Sequence, residues 1–84
     1  MNAIEEIRNL ALMFQWESHT DNSRRQDTFI HGQHMVTVDY RRDGAVNQAQ
    51  RYEFASIKHP KLCESAYGRD KKSDVRYWLV KLGH

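Results

Sequence analysis

Residues 28–55 read TFIHGQHMVTVDYRRDGAVNQAQRYEFA, and this stretch carries the clearest signal of secondary structure in the chain. Strand-forming side chains fill both of its ends, and the run 41–44, Arg-Arg-Asp-Gly, separates them with turn-forming residues. The pattern predicts two antiparallel strands, over residues 28–40 and 45–55, joined by a tight turn. An antiparallel sheet is therefore expected at the centre of the fold.

The register of this hairpin follows from the parity of its apolar residues. Side chains alternate between the faces of a strand, and the apolar ones occupy even-numbered positions: Ile30, Val36, Val38, Tyr40, Val46, Tyr52 and Phe54. A three-residue loop over residues 42–44 pairs even positions with even ones and requires Gly44 in the left-handed conformation. The expected cross-strand pairs are Tyr40 with Val46 and His34 with Tyr52. Gln48 and Gln50 then fall on the apolar face, which a bulge or a short covering helix would explain.

The N-terminal residues 1–16 predict an amphipathic helix packed on the sheet. Apolar side chains recur there at steps of three and four residues: Ala3, Ile4, Ile7, Leu10, Ala11 and Phe14. Asn2 can cap the helix, and Glu5 three residues later completes a capping box. The next segment, residues 17–27, has no apolar side chain and is predicted to be a mobile loop.

Two further elements complete an expected order of α-β-β-α-β. Pro60 favours the first turn of a helix and Gly68 its end, so residues 59–67 predict a short helix. Residues 75–82 fit a helix as well as a strand, and their β-branched and aromatic content favours the strand. The sequence thus predicts a small α+β fold, a single domain over residues 1–84 with the N-terminal helix on an antiparallel sheet.

Composition limits the classes of function that the chain can perform. Of its 84 residues, 39% are hydrophobic and 29% are charged, against the usual roughly 45 to 50% and about 25%. Such a composition leaves little apolar material for a large catalytic pocket. No apolar run reaches the roughly 18 residues of a membrane span, the first ten residues lack the pattern of a secretion signal, and Cys63 has no second cysteine to pair with. We therefore expect a soluble cytoplasmic protein with no membrane association, no enzymatic activity and no cofactor.

Charge is distributed unevenly along the chain. Residues 1–27 carry a net charge of −2, residues 28–55 are neutral and residues 56–84 carry +4, which sum to the +2 of the whole chain. The basic third interleaves its cations with aromatic side chains, the residue types that contact phosphates and stack on bases. The candidate nucleic-acid contacts are Lys58, Lys61, Arg69, Lys71, Lys72 and Arg76. These residues do not match a recognised nucleic-acid-binding motif, so nucleic-acid binding is the alternative and not the preferred function.

Histidine and cysteine residues supply two weaker hypotheses. Zinc accepts the side chains of His31-x-x-His34 and His59-x-x-x-Cys63, but positions 31 and 34 face opposite sides of a regular strand unless Gly32 interrupts it. Cys63 could be a nucleophile activated by His59, yet it has apolar neighbours and no third residue orients the pair. We expect neither a zinc site nor catalytic residues.

A second apolar patch on the first helix gives the preferred functional prediction. Leu12 and Trp16, four residues apart, fall together on a helix and away from its buried stripe. Tryptophan beside leucine is an anchor type enriched in protein interfaces, although Trp16 folded over the edge of the core would fit the same pattern. We predict a small non-catalytic interaction protein that docks on a protein partner or on a second copy. Accessory or inhibitory proteins of phages and mobile elements are one class of this kind.

Overall fold

Two helices flank a five-stranded sheet in the computed structural model, which describes residues 2–54 and 60–83. The elements are α1 Ala3–Met13, β1 Glu17–Asp21, β2 Gln26–His31, β3 His34–Tyr40, β4 Val46–Phe54, β5 Pro60–Ser65 and α2 Lys71–Leu82. Each strand pairs antiparallel with the next, so the sheet is a meander of order β1-β2-β3-β4-β5. The predicted α+β fold with an antiparallel sheet is confirmed. The order of the elements is α-β-β-β-β-β-α, and the predicted α-β-β-α-β is wrong.

Local sequence explains where α1 begins. The Asn2 side-chain oxygen accepts a hydrogen bond from the Glu5 backbone N–H at 2.9 Å, which satisfies one free donor of the first turn. Glu5 and Glu6 lie in that turn, where the helix dipole favours negative charge. Ile7 and Ala11 are buried, as the amphipathic pattern predicts.

The secondary structure of residues 17–27 differs from the predicted loop. Residues Glu17–Asp21 form β1 and Gln26–His31 form β2, with a turn at 22–25 between them. All of β1 is exposed, so this edge strand has no apolar face and is held by backbone pairing with β2. A polar composition excludes burial of a segment, but it does not exclude strand pairing at the edge of a sheet.

The predicted strand over residues 28–40 is two strands. Residues 32 and 33 form the turn between β2 and β3, and Gly32 has a φ of +60°, which favours glycine. His31 pairs directly with His34 across this turn, so both side chains lie on the same face of the sheet. The expectation that they face opposite sides is therefore wrong, because Gly32 interrupts the strand.

The turn between β3 and β4 has the predicted three-residue loop. The Arg41 backbone N–H donates to the Ala45 carbonyl oxygen at 2.8 Å, which closes the loop. Gly44 has a φ of +89°, and Tyr40 lies opposite Val46. These features confirm the turn that the parity argument selected.

A bulge at Asn47 then shifts the register of β4 by one residue. Gln48 and Gln50 therefore lie on the face away from the helices, which removes the defect that their parity suggested. His34 lies opposite Glu53, one position away from its predicted partner.

The predicted helix over residues 59–67 is wrong in its described part. Residues Pro60–Ser65 form β5, which pairs antiparallel with β4. Proline is tolerated there because it is the first residue of an edge strand, where the sheet does not need a hydrogen bond from its backbone nitrogen. Residue 59 lies outside the described residues.

The predicted strand over residues 75–82 is also wrong, because this segment belongs to α2. Asp70 caps the helix, and its Oδ1 accepts a hydrogen bond from the Ser73 backbone N–H at 3.2 Å. Val75, Trp78 and Leu79 are buried at the spacing of one helix face. Burying such a side chain stabilises the folded state by about 1.5 to 3 kcal/mol. The whole scale of strand propensities spans only about 1 kcal/mol, so packing outweighs it.

Both helices pack on one face of the sheet and run in the same direction. Near their starts, Glu6 Oε2 lies 3.1 Å from Lys72 Nζ. The core between the two layers consists of Ile7, Ala11, Trp16, Phe29, Val36, Val38, Tyr40, Val46, Ala49, Val75, Trp78 and Leu79. Strand residues that alternate with these core positions lie on the opposite face, which neither helix covers. We call this second face of the sheet the open face.

Candidate binding surfaces

The structure separates the two residues of the predicted docking patch. Leu12 is 76% exposed, whereas Trp16 is 4% exposed. The Trp16 indole N–H donates to the Leu79 carbonyl oxygen at 3.0 Å, and its ring centroid lies 5.4 Å from that of His31. The expectation that Trp16 lies on an exposed patch is therefore wrong. The helix ends at Met13, so the helical spacing that would align residue 16 with Leu12 does not extend that far.

A continuous apolar row crosses the open face. Direct cross-strand pairing aligns one residue from each strand, in the order Glu17, Ile30, Met35, Tyr52 and Leu62. Leu62 is 52% exposed, and the other three apolar members are half-buried. We call Ile30, Met35, Tyr52 and Leu62 the open-face row. Because a solvated face of an antiparallel sheet normally carries polar side chains, such a row is typical of a surface that binds another molecule.

The charged residues at open-face positions of the described strands are acidic. They are Glu17 and Asp21 on β1 and Asp39 on β3, and no lysine or arginine occupies such a position in the described strands. His19 Nε2 lies 3.0 Å from Glu17, and Arg24 Nε lies 3.9 Å from Asp21. The open face thus combines an apolar row with an acidic margin, which complements a basic surface that carries apolar groups.

The predicted nucleic-acid contacts lie in separate regions of the molecule. Lys61 is on β5 opposite Glu53, near the end of β4. Arg76 is on the outer side of α2, in a groove that Met13 also lines. Lys58 lies outside the described residues. A single continuous surface therefore does not unite the whole predicted set.

Three of the predicted cations do lie together. Arg69, Lys71 and Lys72 line a depression of about 510 Å³, and Arg41 from the turn between β3 and β4 completes it. Asp70 is the carboxylate among its described lining residues. Arg41 lies outside the predicted basic third, and only the path of the sheet brings it beside the start of α2. We call this feature the basic depression.

The described histidines and Cys63 do not form a metal site. His31 and His34 share a face, but the described part of the chain contains no group of three or more metal-ligating side chains placed to hold an ion. Cys63 lies on β5, and its thiol donates to the Lys61 carbonyl oxygen at 3.5 Å. The helical spacing that would bring His59 to Cys63 is absent from β5. Since His59 lies outside the described residues, the zinc and thiol predictions stay untested.

A buried carboxylate lies between α1 and the sheet. Asp27 is 1% exposed, although it belongs to the segment predicted to be a loop. Its Oδ2 accepts from Arg8 Nε at 2.9 Å and Tyr40 OH at 2.8 Å, and its Oδ1 accepts from Arg8 Nη2 at 3.1 Å and Thr20 Oγ1 at 2.7 Å. Four accepted hydrogen bonds fill the capacity of a carboxylate, so none remains for a substrate. Asp27 therefore joins α1 to the first three strands and serves the fold.

Tyr40 makes stability fall at alkaline pH. Burial raises the pKa of Tyr40 far above the ordinary value of 10.0, and the charge of Asp27 and the hydrogen bond to it add to this shift. The folded state keeps the phenolic proton above pH 10, whereas the unfolded state loses it. The stabilisation is therefore complete below about pH 10 and decreases above it, by up to about 1.4 kcal/mol per pH unit.

The measurement is urea unfolding at a series of pH values from 8 to 11. Wild type should lose about one proton more per molecule on unfolding above pH 10 than Tyr40→Phe does. Equal pH slopes for the two proteins would contradict a buried phenol at this position.

Comparison with protein-family models, with curated proteins and with solved structures finds no match to this chain. Neither described helix combines the length and apolar character needed to cross a membrane.

Proposed function

We propose that this chain is a non-catalytic interaction protein whose open face docks on a protein partner with a basic, apolar surface. The observation that carries the proposal is the open-face row, which spans four neighbouring strands without a polar interruption. Leu12 and Trp16, the predicted docking pair, do not define the surface, since Trp16 belongs to the core.

Folding alone does not require an apolar open-face row. Phe29 and Val36 already supply buried side chains to the core from the other face of β2 and β3. A two-layer fold of this kind is complete with polar residues on its second face. Covering the half-buried row by a partner would stabilise a complex by about 1 kcal/mol for each side chain. The row therefore contributes more to association than to folding.

The acidic margin restricts the chemistry of the partner. Glu17, which lies on β1 beside Ile30 of the open-face row, and Asp39, on the same face of β3, would repel an acidic surface and attract a basic one. Attraction of this kind raises the association rate and weakens as salt is added. The partner surface should accordingly present apolar groups surrounded by lysine or arginine.

Site-specific photo-crosslinking tests the proposal. Benzoylphenylalanine replaces Tyr52 on the open face or, as a matched control, Tyr77 on the exposed side of α2. Each variant is expressed in the cells in which the protein naturally occurs, and adducts are identified by mass spectrometry. We expect discrete adducts from position 52 and none from position 77. The adducts should disappear when Glu17→Lys and Asp39→Lys are introduced together.

The mass of the adduct identifies the occupant. A species of twice the 10.0 kDa chain would show that a second copy covers the open face. Adducts from position 77 alone, or equal adducts from both positions, would contradict docking through the open face. Persistence of the adducts after the double charge reversal would contradict a basic partner surface.

A further inference from the structure

The basic depression is built from separate parts of the chain. Arg41 comes from the turn between β3 and β4, Arg69 from the loop before α2, and Lys71 and Lys72 from the first turn of α2. Four cations therefore surround one concave volume of about 510 Å³, with Asp70 as the opposing charge among the described lining residues. Asp70 and Glu6, which pairs with Lys72, offset only part of this positive charge.

Two of these four cations have partners within the described chain, and the other two form no ion pair there. Lys71 and Lys72 begin α2, where the helix dipole disfavours positive charge. Lys72 lies 3.1 Å from Glu6, and Lys71 donates to the Gly68 carbonyl oxygen at 2.9 Å. The Arg41 and Arg69 side chains form no ion pair with a carboxylate of the described residues. Two guanidinium groups are therefore available to an external anion.

An exposed aromatic residue is the chain neighbour of a residue that lines the depression. Tyr67 is 80% exposed and immediately precedes Gly68, which lines the depression. Its backbone N–H donates to Asp74 Oδ2 at 3.3 Å, which fixes the backbone. An exposed ring beside guanidinium groups is the combination that stacks an unpaired base while cations hold the neighbouring phosphate.

We propose that the basic depression and Tyr67 bind single-stranded nucleic acid, with a phosphate group at Arg41 and Arg69 and a base stacked on Tyr67. A paired base offers no free face to the ring, so a duplex would use only the cations. The site lies at the Val46 end of β4, about 20 Å along the strand from Tyr52 of the open-face row. Nucleic-acid binding here is thus independent of the proposed docking on the open face.

Fluorescence anisotropy with a labelled oligothymidine tests this site. We expect wild type to bind at low salt and to lose affinity as salt rises, because each phosphate contact releases counterions. Arg41→Glu combined with Arg69→Glu should weaken binding at least tenfold. The matched control is Lys61→Glu with Lys81→Glu, an equal charge change on exposed residues away from the depression, and it should weaken binding much less. Equal losses in the two double variants would overturn the site.

Substitution of Tyr67 separates stacking from simple charge attraction. Tyr67→Ala should weaken oligothymidine binding about fivefold or more, whereas Tyr67→Phe, which keeps the ring, should bind like wild type. A duplex of the same sequence should bind more weakly than the single strand and should respond little to Tyr67→Ala. Stronger duplex binding, an unchanged affinity in Tyr67→Ala, or no binding to wild type at low salt would each overturn the proposal. Circular dichroism of every variant establishes that the fold is intact.

Discussion

Asp27→Ala is expected to lower the free energy of unfolding by about 2 to 3 kcal/mol, because it removes a buried carboxylate that accepts hydrogen bonds from the half-exposed Arg8 and from the buried Tyr40. The Arg8 guanidinium would lose both of its 2.9 and 3.1 Å hydrogen bonds to the carboxylate. The Tyr40 hydroxyl would lose its acceptor inside the core. Since small domains are stable by only about 5 to 15 kcal/mol, the variant should unfold at a much lower urea concentration. Urea titration followed by circular dichroism gives the value.

Asp39→Ala is the matched control for this change. Asp39 is on β3 near Tyr40 but at an open-face position, and the change should alter stability by no more than about 0.5 kcal/mol. Asp27→Asn adds a second comparison, because an amide keeps the shape but replaces one acceptor oxygen by a donor. This variant should be destabilised as well, because the new amide nitrogen would face hydrogen-bond donors on either side of the group. It would face Arg8 and Thr20 if it replaces Oδ1, and Arg8 and Tyr40 if it replaces Oδ2. Similar unfolding midpoints for Asp27→Ala and Asp39→Ala would show that the cluster is not what joins α1 to the sheet.

Features set by a few adjacent residues were predictable from the sequence. The Asn2 cap and the buried stripe of α1 depend only on helical spacing, and both are observed. The prediction of a loop closed by Arg41 and Ala45 is also confirmed, because Gly44 permits the left-handed backbone that this turn requires. Each of these signals lies within one element and needs no knowledge of its neighbours.

Features that depend on a partner strand or layer were not predictable. The polar residues of β1 form a strand only because β2 offers a pairing edge, and residues 60–65 form β5 because β4 does the same. Residues 75–82 carry strand-like composition, yet they form a helix that packs on the core face of the sheet with Val36 and Val38. Local propensity is too small to oppose such tertiary packing.

The candidate surfaces show the same dependence on register. The open-face row exists because the bulge at Asn47 and the turn at Gly32 bring apolar residues of four strands into line. A shift by one residue would send Tyr52 to the opposite face, so parity counting without the bulge could not find the row. The basic depression likewise needed Arg41, which is distant in sequence from the basic third and near it only in the fold.

Trp16→Ala is expected to lower the free energy of unfolding by about 3 to 5 kcal/mol, the usual cost of removing a large aromatic side chain from a core. The indole is enclosed on several sides: it donates to the Leu79 carbonyl oxygen at 3.0 Å and lies against the His31 ring. Gly83 also approaches it so closely that a Cβ at that position would collide with Trp16 Nε1. The loss therefore includes a cavity and an unmade hydrogen bond at the end of α2.

Leu12→Ser is the control, because Leu12 is the other member of the predicted docking pair and is 76% exposed. Its removal should change stability by no more than about 0.5 kcal/mol. Trp16→Phe keeps much of the buried ring but cannot donate to Leu79, so it should fall between the two variants. Thermal melts should be followed by circular dichroism, since the Trp16 variants change the fluorescence itself. A melting temperature for Trp16→Ala close to that of Leu12→Ser, instead of far below it, would show that Trp16 is not a core residue. The two residues would then again be candidates for one exposed docking patch.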